Sequence, residues 1–184
     1  GNDSKAAQSY IVDFATLMRA ILNNSRESFI PLEKEIETLH LYMKLEQMRF
    51  AEKFNFKIEL DEDLEKEFIL VPPMLIQPFV ENSIIHGLFP KEGKGTLRVI
   101  IKEQNSSLLC SVIDDGIGRE EASKQKKVKP KEHKSVGMEV TKNRLKLLGE
   151  ELKIETYMKV IDLKDDKNKP LGTRVDILIP TKEA

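Results

Sequence analysis

Between residues 50 and 54 the apolar residues change their spacing, and that change limits what the chain can build. Ahead of it, Tyr10, Phe14, Leu17 and Ile21 recur at intervals of four, three and four, which places them on one helical face. Asn23-Asn24-Ser25 interrupts that pattern with cap and turn residues. Pro31 suits the first turn of a second helix, whose N-terminal dipole Glu33 and Glu35 complement. Leu32, Ile36, Leu39, Met43 and Phe50 carry a heptad-like stripe along it. Two helices with matched stripes predict a hairpin or a dimer-forming coiled segment, or simple packing on the domain that follows. Beyond residue 53 the period becomes two: Phe54, Phe56, Ile58 and Leu60 alternate with polar residues, as in a half-buried strand.

The remaining pattern reads as further strands and helices. Residues 68–71 form a short strand, and Pro72-Pro73 opens a helix reaching about Leu88. Residues 96–103 and 107–114 form a hairpin around Asn105-Ser106. Residues 119–134 are polar and lysine-rich without an apolar period. A helix from about Gly137 to Leu148 is capped by Gly149, and strands follow at 151–161 and 172–179. This order predicts an α+β fold, a two-layer sandwich with helices on one face of a mixed, mostly antiparallel sheet, preceded by a helical hairpin. The expected division is a helical segment over 1–52 and a ligand-binding domain over 53–184.

Composition removes several classes of function. A formal net charge of −1 supplies no global field for nucleic acid or an anionic membrane. Cys110 is the single cysteine, which leaves no internal disulfide and fits a reducing compartment. No apolar run approaches the ~20 residues that cross a bilayer, and the polar N-terminus carries no secretory signal. The expectation is a cytosolic piece, whatever it may be joined to.

Four constellations carry chemistry. Asp114-Asp115-Gly116-Ile117-Gly118 ends an apolar strand. A carboxylate there accepts a hydrogen bond from an exocyclic amine such as adenine N6, and the glycines let the backbone approach a flat ligand. An ordinary Asp-Gly turn has the same composition. On the helix before it, Glu81, Asn82 and His86 interrupt a face built from Ile76, Phe79, Val80 and Ile84. Asn82 and His86 lie one turn apart and project together. The Asn82 carbonyl is a hard oxygen ligand suited to Mg²⁺ shared with phosphates. His86 reads either as a phosphate or ribose contact or as a structural histidine. Ser135-Val136-Gly137-Met138 opens a helix whose N–H groups form an anion site. Lys124, Lys126, Lys127, Lys129, Lys131 and Lys134 precede it, as a mobile lid near a triphosphate or as a solvated loop. Gly172-Thr173-Arg174 begins the last alternating strand.

Other nucleotide and hydrolase signatures are missing. No G-x-x-x-x-G-K-[ST] is present to cradle phosphates, and no G-x-G-x-x-G follows a strand. His40, His86 and His133 with one cysteine offer no zinc spacing.

In order, Asn82, Asp114-x-Gly116-x-Gly118, Ser135-x-Gly137 and Gly172-Thr173 resemble the N, G1, G2 and closing glycine boxes of the Bergerat ATP-binding fold. That superfamily contains gyrase, MutL and histidine kinases. The finer resemblance is to LytS-type sensor histidine kinases. Leu41-Tyr42-Met43-Lys44-Leu45-Glu46-Gln47-Met48-Arg49-Phe50 is similar to that family's L-x-Y-x-x-L-E-x-x-R-F helix. Val71-Pro72-Pro73 through Gln77-Pro78-Phe79-Val80-Glu81-Asn82-Ser83-Ile84-Ile85-His86-Gly87 resembles its P-P-x-x-x-Q-P-x-V-E-N-A-I-x-H-G signature.

The resemblance implies Mg-ATP binding and transfer of the γ-phosphoryl group to a histidine upstream of this chain. It implies Asn82 and Glu81 as the catalytic pair and Asn82 as the Mg²⁺ ligand. His86, Asp114, Gly116, Gly118, Gly137, Met138 and Thr173 would join Asn82 around ATP. A cognate response regulator and a homodimer through the N-terminal helices are the implied partners, in the cytoplasmic portion of a bacterial inner-membrane sensor. Three departures qualify it. The family's N-P-H-F-x-F-N acceptor motif is not found here. Pro78 stands where ATP-hydrolysing relatives place a general-base glutamate, and the G2 box is poor in glycine. The alternatives are a non-catalytic dimerising nucleotide module and a standalone ATPase.

Overall fold

A computed structural model describes residues 2–105, 107–125 and 136–183. Helix α1 (Asn2–Asn24) and helix α2 (Leu32–Arg49) form an antiparallel hairpin. Lys44 Nζ pairs with Asp13 Oδ2 at 2.7 Å across it, and near the bend Asn24 Nδ2 donates to Thr38 Oγ1 at 3.2 Å. The stripe read on α1 is only partly covered: Leu17 is buried, but Phe14 is exposed beside Ile11, Met18 and Leu22.

Strands β2 (Phe54–Leu60), β4 (Gly95–Gln104), β5 (Ser107–Asp114), β6 (Tyr157–Lys164) and β7 (Pro170–Pro180) make a five-stranded sheet in the order β2-β4-β5-β7-β6. Only β2 and β4 run parallel, so the sheet is mixed and mostly antiparallel, as the alternation predicts. The period of two puts Leu97, Val99 and Ile101, Leu108, Cys110 and Val112, and Val175, Ile177 and Ile179 on one buried face. Helices α2, α3 (Gln77–Asn82) and α5 (Val136–Leu152) cover it with Leu39 and Met43, Phe79 and Val80, and Leu145. The core therefore runs across residue 52: α2 shares it with the sheet.

A small sheet of β1 (Ile30–Pro31), β3 (Ile69–Val71) and β8 (Lys182–Glu183) ties the bend of the hairpin to the segment entering α3. Its two-residue outer strands are too short to show a period.

Several boundaries differ from the sequence reading. The helix expected from Pro72 starts at Gln77, with Pro78 in its first turn, where a missing N–H costs nothing. Residues 73–76 turn instead, with Met74 at φ 60°. Buried Glu35 holds them there by accepting from Met74 N at 2.9 Å, while Arg144 Nη1 donates to Pro73 O at 2.6 Å. Helix α5 runs past Gly149 to Leu152, and Lys153 takes the left-handed position instead (φ 56°). The strand expected from 151 accordingly begins at Tyr157. Residues 119–125 of the expected polar loop instead fall in helix α4 (Gly118–Gln125). Lys126, Lys127, Lys129, Lys131, His133, Lys134 and Ser135 lie outside the described residues.

Burial pushes the Glu35 carboxyl up to about 6, against the opposing pull of the Met74, Ile76 and Leu75 N–H groups and the Arg144 charge. A folded pKa above the unfolded one gives stability that is complete below the unfolded value of 4.5 and lost as pH rises through about 6. The wild type is expected to lose about 2 kcal/mol relative to Glu35→Gln across that window. Urea unfolding of both proteins in a pH series measures this, and a difference independent of pH would contradict it.

Candidate nucleotide site

The site grows from the end of the buried face of β5. Leu108, Cys110, Val112 and Asp114 alternate onto the same side, so Asp114 is the polar end of an apolar column. Asp114 pairs in register with Thr173 on β7, and Thr173 with Asp162 on β6. Three polar residues thus form one row at the edge of the core.

Asp114 is only 3% exposed. Gly116 N donates to its Oδ1 at 2.9 Å. Burial holds its carboxyl above the ordinary range, opposed by hydrogen bonds from the Ser83 hydroxyl and the Gly116 and Thr173 backbone. A buried carboxylate satisfied by several donors is fixed in orientation, which a recognition group requires.

Glycines bring the next wall onto it. A Cβ on Gly87 would meet Asp114 Oδ1 at 2.8 Å, and one on Gly116 would meet the Gly87 carbonyl carbon at 2.4 Å. Only bare backbone permits this approach, which Ile117 N locks by donating to Gly87 O at 3.1 Å.

Asn82 ends α3, and residues Ser83–Leu88 continue as a π-helical turn, with Phe89 N donating to Ile84 O at 2.8 Å. Widened turns of this kind recur at functional sites. Asn82 Nδ2 donates to Pro78 O at 2.6 Å, so the carbonyl one turn earlier orients the asparagine amide.

These elements enclose a cavity of about 420 Å³. It is lined by Phe79, Asn82, Ser83, His86, Gly87, Asp114, Gly118, Arg119, Ala122, Ser123, Met138, Val160, Thr173 and Val175. Of the residues singled out in the sequence, Asn82, His86, Asp114, Gly118, Met138 and Thr173 meet there. Gly116 lies beneath the lining against Gly87. Gly137 is exposed in the first turn of α5, where its carbonyl accepts from Thr141 Oγ1 at 2.8 Å. Glu81 is exposed on α3, and its charge acts on Tyr42 of α2.

The sequence reading missed Arg119, Ala122 and Ser123 because it gave α4 no structure. The signal was present: Glu120 and Glu121 sit in a first turn that favours acids. Asp115 turned out to serve the fold. Its Oδ1 accepts from Thr96 N at 2.8 Å and pairs with Lys91 at 2.9 Å, pinning the turn to β4.

Comparison with known proteins finds similar chains and a shared fold. Residues 1–54 match the histidine kinase family model. The chain is 37% identical over 119 residues to the sensor protein LytS of Oceanobacillus iheyensis, covering 65% of this chain and 20% of that protein. The catalytic domain of histidine kinase ThkA shares the fold at TM-score 0.55 and 15% identity, covering 85% of this chain and 97% of that one. ThkA in complex with the response regulator TrrA aligns at TM-score 0.53 and 16% identity, over 95% of this chain and 49% of that one. The chain spans about a fifth of the length of the curated relatives it matches. By its N-terminal helices and its matched sequence, the chain is similar to the LytS-type sensor histidine kinases, and its fold is that of histidine kinase catalytic domains.

Proposed function

We propose that the chain binds Mg-ATP in this cavity and donates the γ-phosphoryl group to a histidine supplied from outside it. One observation carries the reading: Asn82, His86, Asp114, Gly118, Met138 and Thr173, scattered over ninety-odd positions, line a single cavity of about 420 Å³. Asp114 accepts from the adenine exocyclic amine, and Thr173 beside it fixes the base edge. Asn82 and His86 face the phosphates from the α3 side, and Gly137 and Met138 from the start of α5.

The donor set fits Mg²⁺. The Asn82 amide gives its nitrogen to Pro78 O, so its hard carbonyl oxygen is the end suited to the ion. When bound, Mg²⁺ would neutralise charge on the phosphate oxygens. The chain's own residues position the triphosphate, which supplies most of the catalysis in phosphoryl transfer. A neutral imidazole attacks through its own lone pair and requires no base, consistent with proline at position 78. Glu81 is the second catalytic group. Exposed one residue before Asn82, it meets the incoming imidazole and orients it.

The partners follow from the same reading: a cognate response regulator that accepts the phosphoryl group, and a second copy joined through α1. Ile11, Phe14, Met18 and Leu22 leave an apolar face open on that helix. The chain is proposed to lie on the cytoplasmic side of a bacterial sensor. No described helix is long and apolar enough to cross a membrane.

The test supplies the chain with γ-labelled ATP, Mg²⁺ and a separately made upstream segment that carries the acceptor histidine. Acid-labile, base-stable label on that segment is expected, with loss on Asn82→Ala. Steady phosphate release without label would favour a standalone ATPase. A lack of both, with light scattering still giving a dimer, would favour a non-catalytic dimerising module.

A further inference from the structure

We infer that Arg119 is the base-stacking residue of this cavity, held flat by Asp162 so that its guanidinium covers the purine whose amine Asp114 accepts. The inference rests on the ATP reading above and adds a specificity element to it.

The placement comes first. Arg119 follows Gly118, whose φ of 76° turns the chain out of the strand-end loop into α4, and its side chain lines the cavity. Arg119 Nε donates to Asp162 Oδ1 at 2.7 Å and Nη2 to Oδ2 at 2.6 Å. Two parallel bonds fix a guanidinium in its plane, as one bond cannot. Neighbouring Glu120 is held by the same strand, with Lys164 Nζ on its Oε1 at 2.9 Å. The start of α4 is therefore clasped to β6 at two points.

Sheet register then sets the distance. Asp114, Thr173 and Asp162 occupy one row on β5, β7 and β6. Adjacent strands lie roughly 4.8 Å apart, so the two carboxylates stand on backbones about 10 Å apart. That span admits a purine anchored at Asp114 with a flat group above it. Between them the walls are apolar, from Val160, Val175 and Phe79. An apolar slot with one fixed planar cation matches an aromatic heterocycle.

The other use of an arginine near a nucleotide is a phosphate contact, and the geometry disfavours it. Asp162 occupies the Nε/Nη2 edge of the guanidinium, and its charge offsets the cation's pull on a phosphate. The same pair holds the Asp162 carboxyl below, and the Arg119 guanidinium above, their ordinary ranges.

Titration calorimetry of the chain with Mg-ADP and Mg-ATP tests the inference. Arg119→Ala is expected to weaken both nucleotides by the same factor, about tenfold. Arg119→Lys should not restore affinity, because an ammonium has no flat face. Asp162→Asn should weaken both nucleotides by a smaller factor, by releasing the guanidinium from its plane. Thermal melts of each variant confirm that the fold is retained, since Arg119 and Asp162 are partly exposed. Wild-type affinity in Arg119→Ala would overturn the inference, and so would a loss confined to ATP, which would mark a phosphate contact. Asp114→Asn serves as the control. If it weakens binding while Arg119→Ala does not, only the stacking role fails. If Asp114→Asn binds like the wild type, the adenine site itself is wrong.

Discussion

Gly172→Ala is expected to destabilise the chain by at least about 3 kcal/mol and to abolish nucleotide binding with it. Two causes act together. Gly172 sits at φ 126°, a conformation that costs any side chain. An added Cβ would also fall 1.9 Å from the Asp114 carbonyl oxygen and 2.8 Å from the Asp115 Cα. Both obstacles are backbone, so no rotamer change relieves them. The strand end must move instead, and with it the carboxylate that defines the cavity. In a chain of this size the loss corresponds to roughly 6–12 °C in melting temperature. Thermal unfolding followed by circular dichroism reads it directly, and an unchanged melting temperature would show that the close approach of β7 to Asp114 is not as described.

The second large effect is at Asp114 itself. Asp114→Asn keeps the shape of the side chain but replaces half of its acceptor capacity with donors. The Ser83 hydroxyl and the Gly116 and Thr173 backbone all bond this carboxylate. An amide must turn its NH₂ toward one of those groups or toward the purine amine. Hydrogen bonds to a charged group are worth about 1.5–3 kcal/mol, so Mg-ADP affinity is expected to fall roughly ten- to hundred-fold. Calorimetric titration beside the wild type measures this, and equal affinity would remove Asp114 from adenine recognition.

How much of this could be read in the sequence depends on how local each cause is. Strands β2 and β5 were legible to the residue: β2 alternates apolar with polar residues, and β5 is a largely apolar run between Asn105-Ser106 and the Asp115-Gly116 turn. The first residue of α3 was not legible. Glu35 holds the turn ahead of it from thirty-nine positions away, a bond no local pattern records. Pro78 does carry a local signal, as a first-turn proline. Helix α4 has no apolar stripe. Its hold on the sheet comes from Arg119–Asp162 and Glu120–Lys164, pairs forty-three and forty-four positions apart. The apolar spacing of α1 was visible, but which of its residues would meet α2 was not. Leu17 is buried there, and Phe14 from the same stripe faces outward. In the site, the glycines and carboxylate were legible as types at a strand end. Their convergence with Asn82, His86 and Thr173 needed the sheet register.

The central claim is that these residues form one nucleotide site. Amide NMR of the unaltered, isotope-labelled chain, titrated with Mg-ADP, tests it most directly. The account predicts saturable shifts concentrated at Asn82, Gly87, Gly116, Gly118 and Thr173, with β2 and the middle of α2 unmoved. Absence of saturable shifts, or shifts centred away from the Asp114 end of the sheet, would contradict it.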